Sequence, residues 1–283
     1  MYQHDDSGPR TIADLAGGRW PSRRGADRVQ VLGHRGSPDP WRPENSVAAV
    51  AQALHQGADG VEVDVRLTAD DVLLCVHDEF LFSDNGARLD VATSGSDDLL
   101  GVAGRAAQAT LTQVLAAVQR PVGSRVVVEA KPVSDRAVAE RTAVALADVL
   151  AAGAGNADVT VSSFDPDLLA AIRRACAALP VRTALLGGTS VDATSVVKRA
   201  HADGHDEVHL PLVAVRRTPL TVALAQWLGL SVALWTVNRG RDLRWVAALG
   251  VDAVITDDVT SARSKLDRAM AEELVAPVEV DAA

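Results

Sequence analysis

The amino-acid sequence predicts an α/β fold, a TIM (β/α)8 barrel with a small hairpin-containing insertion after the second strand. Short runs of aliphatic residues alternate with alanine-rich amphipathic stretches from about residue 29 to residue 257. Eight such units average about 29 residues each, close to what a barrel of roughly 250 residues requires. A doubly wound open sheet is the alternative, but no G-x-G-x-x-G turn follows the first strand.

Each predicted strand is short and rich in Val, Ile or Leu, and turn or capping residues bound it. The eight strands are residues 29–33, 60–67, 125–130, 158–163, 182–186, 207–210, 231–237 and 252–256. Capping residues mark several helices between them, since Asn45 or Ser46 precedes one helix and Asp165 stands before Pro166 at another. This order of strands and helices favours a parallel sheet.

A ninth run, residues 72–77, interrupts the alternation. Only residues 68–71 separate it from the second strand, whereas a parallel crossover needs about a dozen residues or more. We therefore expect an antiparallel hairpin. If Ala69 and Asp70 form a two-residue turn, His77 lies opposite Glu62 on the same face of the sheet. Another turn length would place the His77 side chain on the other face. A polar loop over residues 83–104 and a helix over residues 111–120 are expected to follow.

The chain is predicted to form one domain. The barrel covers residues 29–268, with the insertion at about residues 68–106. Residues 1–28 are expected to be a flexible N-terminal segment and residues 269–283 a C-terminal tail, because neither has a clear packing partner. Hydrophobic residues make up 48% of the 283 residues and charged residues 23%, which excludes a disordered or fibrous protein.

Composition also limits the partners and the compartment. A formal net charge of −9 gives no basic surface for nucleic acid, so we expect a small-molecule partner. The composition does not predict the oligomeric state. The apolar run at residues 220–237 is divided at Gly229, so no stable membrane insertion is expected. No secretory signal is visible, so a cytoplasmic protein is expected. Cys75 and Cys176 lack metal-ligand spacing and are expected to be buried, reduced thiols.

Charged residues gather at the carboxyl ends of three predicted barrel strands, where TIM barrels place their chemistry. They are His34, Arg35, Glu62, Asp64, Glu129 and Lys131. Because side chains alternate along a strand, Glu62 and Asp64 share one face, and so do Glu129 and Lys131. Three carboxylates are therefore predicted to converge inside the mouth of the barrel.

Converging carboxylates favour a bound cation, because like charges at close range raise the pKa of their neighbours. Oxygen ligands without a thiolate cluster favour Mg²⁺ or Ca²⁺. The alternative is that Glu62 and Asp64 form ion pairs with Arg35 or Lys131 alone. We expect the divalent ion, since short strands rarely carry this many inward charges for stability.

Two of the seven histidines stand at strand ends beside these charges. His34 ends the first strand and His77 ends the hairpin strand. Two imidazoles near a metal supply a general base and a general acid at neutral pH. The remaining histidines are expected to be ordinary core or surface groups: His4, His55, His201, His205 and His209.

Many of these residues belong to short motifs that follow one another along the chain. The motifs are His34-Arg35-Gly36, Pro43-Glu44-Asn45-Ser46, Gly57-Ala58-Asp59, Glu62-Val63-Asp64-Val65, Thr68 with Asp70 or Asp71, His77-Asp78, Glu129-Ala130-Lys131, Ser162-Ser163-Phe164-Asp165, Trp235-Thr236-Val237-Asn238 and Ile255-Thr256-Asp257. Together they resemble the glycerophosphodiester phosphodiesterase family over about residues 29–258. The order and spacing of so many motifs make the likeness more specific than any one motif.

The resemblance implies a TIM barrel with a small insertion after the second strand, and metal-dependent hydrolysis of glycerophosphodiesters to sn-glycerol 3-phosphate and an alcohol. It also implies a role for each charged residue at the strand ends. By resemblance, the metal ligands are Glu62, Asp64 and Glu129, the acid and base are His34 and His77, and the phosphate-binding residues are Arg35 and Lys131.

For four other residues the resemblance leaves two roles open. Glu44 is either a metal ligand or a support for His34 or Arg35, and the second role is ranked higher. Trp235 either lines the pocket beside the alcohol portion of the substrate or packs in the barrel. The same two roles are open for Phe164. Asp78 either orients His77 or ends the strand.

Two other functions are consistent with the sequence. A lysophospholipase D-type phosphodiesterase would need an apolar channel at the barrel mouth, and an aromatic content of only 3% weakens it. A catalytically silent glycerophosphodiester-binding module would have no reason to keep both histidines with all three carboxylates. Hydrolysis is therefore the expected function.

Overall fold

The computed structural model describes residues 28–83, 85–102, 109–118, 123–153 and 157–275. Strands and helices alternate along most of this length. In chain order the elements are β1 (Gln30–His34), α1 (Val47–His55), β2 (Gly60–Leu67), β3 (Leu73–Cys75), β4 (Phe80–Phe82), β5 (Arg88–Asp90), a 3-10 turn (Val91–Thr93), α2 (Ser96–Leu100), β6 (Ala109–Thr110), α3 (Leu111–Val118), β7 (Arg125–Ala130), α4 (Arg136–Gly153), β8 (Asp158–Ser163), α5 (Pro166–Ala175), β9 (Arg182–Leu186), α6 (Ala193–Ala202), β10 (Glu207–Pro211), α7 (Leu212–Arg217), α8 (Leu220–Trp227), β11 (Ser231–Trp235), α9 (Gly240–Leu249), β12 (Ala253–Thr256) and α10 (Val259–Val275).

Eight parallel strands form a closed barrel, which confirms the predicted TIM fold. The order around the barrel is β1, β2, β7, β8, β9, β10, β11 and β12, and β12 pairs again with β1. All eight predicted strands are present, and their ends differ from the predicted ends by at most two residues. The helix caps also agree, because Ser46 caps α1 and Asp165 caps α5.

The alternation of side chains divides the core into two layers. On β2, the side chains of Val61, Val63 and Val65 belong to the main core between the strands and the helices. A smaller cluster, which includes Leu32 and Ile255, fills the interior of the barrel. The residues between the outward valines of β2 therefore face the interior, and these residues are Glu62 and Asp64.

A group of polar and charged residues around the buried Glu207 lies at the opposite, amino end of the barrel interior. Glu207 at the start of β10 accepts hydrogen bonds from Arg125 and from the Thr160 hydroxyl, the latter at 3.0 Å. The Arg182 Nε atom lies 3.0 Å from Glu207 Oε1, and His209 Nε2 lies 3.0 Å from Glu207 Oε2. We call these five residues the amino-end cluster. His209 is thus a core histidine, as expected.

The insertion begins with the predicted antiparallel hairpin, in a different register. Strand β3 pairs antiparallel with β2, but Val65 lies opposite Cys75 and Leu67 opposite Leu73. The turn therefore holds three residues, and Asp71 adopts the left-handed φ of 62° that the longer turn requires. His77 consequently does not lie opposite Glu62, so the register based on a two-residue turn was wrong.

The rest of the insertion contains more regular structure than the predicted polar loop. Strands β4 and β5 form a second hairpin, helix α2 follows, and β6 pairs with the free edge of β3. Leu74, Val76, Val91 and Leu99 form a small apolar core beneath these elements. The scattered aliphatic residues of this polar stretch thus supply enough apolar surface to order it.

The ends of the predicted domain differ in detail from the expected boundaries. Arg28 forms an ion pair with Asp59, while residues 1–27 and 276–283, with His4 among them, lie outside the described residues. Helix α10 continues past residue 268 to Val275. Helix α3 is described to Val118, and residues 119–120 of that predicted helix also lie outside.

The apolar stretch at residues 220–237 is divided as predicted. It forms helix α8 and strand β11, and between them Gly229 has a left-handed φ of 84°. Within the described part of the chain, no helix combines the length and the apolar character needed to cross a membrane. Cys75 and Cys176 are both buried and free, as predicted.

Candidate active site at the carboxyl end of the barrel

Three carboxylates converge at the carboxyl end of the barrel. In the parallel pairing of β2 with β7, Asp64 lies beside Glu129, and Glu62 precedes Asp64 on the same face. One carboxylate oxygen from each residue lies within 4.8 Å of the others, and the residues are only 4%, 1% and 9% exposed. A buried group of hard oxygen donors without sulfur or nitrogen suits a cation such as Mg²⁺ or Ca²⁺. We call Glu62, Asp64 and Glu129 the acidic cluster.

Lys131 neutralises part of this charge. It follows the last residue of β7, and its Nζ atom lies 2.7 Å from Asp64 Oδ1 and 2.5 Å from Glu129 Oε1. The side chain is almost fully buried, so its single positive charge is held between two negative ones. The two contacts therefore fix the ammonium group at the mouth of the barrel.

Arg35 binds the other side of the acidic cluster from the turn after β1. Its backbone N–H donates to Glu62 Oε2 at 3.0 Å, and its Nε atom lies 3.1 Å from Asp64 Oδ2. This geometry depends on a sharp turn, with φ values of 53° at Arg35 and 84° at Gly36. A side chain at Gly36 would meet the backbone of Ala49 at 2.6 Å, so only glycine fits there.

Glu44 contacts Arg35 and is not among the carboxylates that converge in the acidic cluster. Its two carboxylate oxygens accept from Arg35 Nη1 at 2.9 and 2.8 Å. About half of the Glu44 side chain is exposed. Of the two roles left open by the sequence, this contact favours support of Arg35 over direct binding of a metal.

Asn45 contacts Asp64, although the sequence indicates only a helix-cap role for it. Its Nδ2 atom donates to Asp64 Oδ2 at 2.9 Å, and its Oδ1 atom accepts from the Asp64 backbone N–H at the same distance. Asn45 is buried and has a left-handed φ of 59°, a conformation that asparagine tolerates better than most residues. In the sequence, the indication of this contact is the asparagine itself, immediately before the Ser46 helix cap.

The acidic cluster has more carboxyl groups than positive partners. Burial raises the pKa of Glu62 to about 8, and the charge of Asp64 adds to the rise. Burial likewise raises the pKa of Glu129, against the opposing charge of Lys131. For Asp64, burial is outweighed by Lys131 and Asn45, which hold its pKa below the usual value. Full ionisation of the cluster needs further positive charge, which a divalent cation would supply.

His34 is held by a hydrogen-bonded chain from the last strand. Its Nδ1 atom lies 2.6 Å from Asp257 Oδ1, and Asn238 Nδ2 donates to the other carboxylate oxygen of Asp257 at 2.6 Å. Burial alone would lower the pKa of His34, but the Asp257 hydrogen bond and the charge of Glu62 raise it. Asp257 and Asn238 occur in the motifs quoted above, yet the sequence assigned them no role.

His77 lies beyond the end of β3, close enough to Glu129 to oppose the rise in the pKa of that carboxyl. Its backbone carbonyl accepts from Arg66 Nε at 2.9 Å. The Nδ1 atom lies 2.8 Å from Asp78 Oδ1. His77 thus approaches the cluster despite the altered hairpin register, because the strand ends at Cys75 and the alternation of its side chains ends there too.

The far wall of the mouth is aromatic. Trp235 at the end of β11 and Phe164 after β8 form an edge-to-face pair with ring centroids 5.9 Å apart. Trp235 also packs on the apolar cluster inside the barrel. The mouth therefore has charged residues on β1, β2 and β7, together with an aromatic pair contributed by the carboxyl ends of β8 and β11.

Comparison with known proteins identifies the family. The model of the glycerophosphoryl diester phosphodiesterase family matches residues 34–261, which is most of the chain. The chain belongs to this family. A family protein of Mycobacterium tuberculosis, named "Probable glycerophosphodiester phosphodiesterase 1", is 34% identical over 255 residues, which cover 82% of this chain and 90% of that protein.

Solved structures of glycerophosphodiester phosphodiesterases share the fold. One from Parabacteroides distasonis superposes with a TM-score of 0.74 at 22% identity, covering 86% of this chain and 99% of that one. A phosphodiesterase from Oleispira antarctica, solved with the product sn-glycerol-3-phosphate, gives a TM-score of 0.70 at 21% identity, covering 85% and 97%. The barrel architecture is therefore that of the family.

Proposed function

We propose that this protein is a divalent-metal-dependent glycerophosphodiester phosphodiesterase. It would hydrolyse glycerophosphodiesters to sn-glycerol 3-phosphate and an alcohol. The observation that supports this most strongly is the buried acidic cluster, with His34 near Glu62 and His77 near Glu129, inside a barrel of this family. The names of the relatives, and the product bound to the Oleispira antarctica protein, agree with this substrate class.

Glu62, Asp64 and Glu129 are the proposed metal ligands. Their oxygen donors and excess negative charge fit Mg²⁺ or Ca²⁺. When bound, such an ion supplies positive charge that stabilises the phosphoryl oxygens during transfer.

Arg35 and Lys131 are proposed to bind the phosphodiester. Arg35 Nε and Lys131 Nζ approach Asp64 from two sides, so both cations border the place where a phosphate would meet the cluster. Glu44 and Asn45 would act through these groups, because Glu44 holds the Arg35 guanidinium and Asn45 fixes the Asp64 carboxylate. Positive charge at fixed positions binds the substrate and stabilises the transition state.

His34 and His77 are proposed to transfer the protons. One imidazole would take the proton of the attacking hydroxyl, and the other would give a proton to the departing alkoxide. In both rings the Nδ1 atom is engaged by a carboxylate, Asp257 or Asp78, which leaves Nε2 for the reaction. Asp257 and Asp78 would thus orient the two rings.

Trp235 and Phe164 are proposed to face the alcohol portion of the substrate. Phe164 is 37% exposed and lies edge-to-face with Trp235. This apolar wall also supports a second candidate function, a lysophospholipase D-type reaction, since an acyl chain would find apolar surface there. Comparing turnover of glycerophosphocholine with that of lysophosphatidylcholine would discriminate the two.

The proposed function is tested by turnover of glycerophosphocholine, followed as release of sn-glycerol 3-phosphate. Activity should vanish with a chelator and return with Mg²⁺ or Ca²⁺. Binding of the product without any turnover would instead indicate a silent binding module. Full activity after exhaustive chelation would contradict the metal assignment.

A further inference from the structure

A buried hydroxyl lies beside the acidic cluster and takes no part in the contacts described so far. Strand β8 presents Val159 and Val161 to the outer core, and Thr160 reaches inward to Glu207. Ser162 follows Thr160 by two residues, so its side chain also faces the barrel interior. The hydroxyl therefore lies on the inner wall, above the amino-end cluster.

The strand register places Ser162 at the level of the acidic cluster. In the parallel pairing of β7 with β8, Ser162 lies directly beside Glu129. Only 1% of Ser162 is exposed, and no described residue forms a hydrogen bond with its hydroxyl oxygen. Burying a hydroxyl without a partner costs free energy, so a hydroxyl retained at such a place is suited to a ligand.

The adjacent serine shows the contrasting case. Ser163 is fully buried, but its hydroxyl donates to the Ala130 carbonyl at 2.7 Å and accepts from the Asp165 backbone N–H at 3.1 Å. Ser163 thus stabilises the end of β8 within the protein. Two neighbouring serines of equal burial therefore differ in whether the fold satisfies their hydroxyls.

We propose that Ser162 is a substrate-binding residue whose hydroxyl donates a hydrogen bond to a phosphoryl oxygen of the bound phosphodiester. The inference rests on the proposed function and adds a contact to the same site. An anionic oxygen is the expected acceptor because Lys131, which neighbours Glu129, attracts anions to this part of the mouth. The contact would hold the phosphate from the β8 side, opposite Arg35.

Ser162→Ala and the matched control Ser163→Ala test this proposal in the full-length protein with Mg²⁺ present. Ser162→Ala should lower kcat/KM for glycerophosphocholine and weaken binding of inorganic phosphate by roughly 10- to 100-fold, as expected for a hydrogen bond to a charged group. Its Tm should equal or exceed the wild-type Tm, because an unpaired hydroxyl is removed. Ser163→Ala should show the reverse, a lower Tm and near wild-type phosphate affinity.

Two results would overturn the proposal. The first is unchanged phosphate affinity in Ser162→Ala; if binding of sn-glycerol 3-phosphate is weaker at the same time, the contact involves glycerol instead. The second is reduced Mg²⁺ affinity by calorimetry. Phosphate binding requires no turnover, so a wild-type protein inactive on glycerophosphodiesters would contradict the proposed function without deciding the role of Ser162.

Discussion

The two ends of the barrel interior both hold buried charges, but the charges are balanced differently. In the amino-end cluster, the single carboxylate of Glu207 is contacted by Arg125, Arg182, His209 and Thr160. In the acidic cluster at the carboxyl end, three carboxylates share Lys131 and Arg35. One end has an excess of positive partners, and the other has an excess of negative groups.

The pKa values follow this difference. Burial alone would raise the pKa of Glu207, but His209, Arg125 and Arg182 lower it to about 2. Burial raises the pKa of Glu62 to about 8, and Asp64 adds to the rise. A buried charge whose partners are all supplied by the protein contributes to the folded state, whereas an unbalanced group of like charges indicates a ligand.

Glu62→Gln is expected to have the largest effect on activity. It removes a proposed metal ligand, so kcat/KM for glycerophosphocholine should fall by at least roughly 10³-fold. The Tm measured in chelator should not fall, because a neutral amide replaces a carboxyl whose ionised form is disfavoured. Turnover and thermal unfolding on one preparation measure both quantities, and calorimetry measures the Mg²⁺ affinity.

The control is Glu140→Gln on helix α4, where the carboxylate is half exposed and pairs with Arg174. Both its activity and its Tm should stay close to wild type. Retained activity in Glu62→Gln, or a large drop of its Tm in chelator, would show that the carboxyl end is a structural cluster like the amino end.

The two histidines give the next largest expected effect. His34→Ala and His77→Ala should each lower kcat by about 10²- to 10⁴-fold, because each removes a proton transfer. Each variant should also lose one limb of the bell-shaped pH profile, and the limb that disappears identifies the base. His201→Ala, on exposed surface at α6, should leave the profile unchanged. A near wild-type kcat in either active-site variant would refute the pair.

Local patterns predicted the barrel and the charged side of its mouth. Strands of β-branched and aliphatic residues, capped helices and charges at strand ends are all encoded within a few residues of one another. Alternation alone placed Glu62 and Asp64 on one face, and the structure shows them there. The hairpin register failed because it depends on a turn that is longer by a single residue.

Other contacts depend on closure of the barrel, which local patterns do not encode. Asp257 meets His34 across 223 residues of chain, where the last strand joins the first. Apart from His209, the partners of Glu207 come from β7, β8 and β9, so the residues near position 207 do not indicate how far its charge is neutralised. Without these contacts, the sequence did not distinguish the two charged ends.

Glu207→Gln should reverse the pattern expected of Glu62→Gln. Loss of the carboxylate leaves Arg125 buried without a counter-ion, whereas the partly exposed Arg182 keeps its ion pair with Asp158. The free energy of unfolding should therefore fall by about 3–5 kcal/mol. The kcat/KM of the folded fraction should be unchanged. If the variant does not fold, Thr160→Val, which removes one hydrogen bond to Glu207, should cost only about 1 kcal/mol. Urea denaturation measures both, and a loss of Mg²⁺ affinity in a stable variant would contradict the separation of the two ends.

The smallest expected effect is an opposite pH dependence of stability at the two ends. In chelator, folded Glu62 keeps its proton up to about pH 8, whereas the unfolded chain loses it near the usual pKa of 4.5. The native state then binds more protons, so Glu62 makes the protein less stable as the pH rises through this window. Glu207, with a pKa of about 2, stabilises the protein above pH 4.5 and loses this contribution as the pH falls towards 2.

Mg²⁺ should change only the alkaline part of this dependence. A divalent ion favours the ionised Glu62, so the rise of Tm on adding Mg²⁺ should be larger at pH 8 than at pH 6. The part of the acid loss that Glu207 contributes should be the same with and without Mg²⁺, because Glu207 lies at the other end of the barrel interior. Glu62→Gln should reduce the alkaline dependence in chelator and leave the acid limb intact. Glu129 and His34, whose pKa values are also raised, should account for the alkaline dependence that remains. Thermal unfolding across this pH range tests the dependence attributed to Glu62. A Tm in chelator that is independent of pH between 5 and 8 would mean that Glu62 is not the unbalanced charge of the cluster.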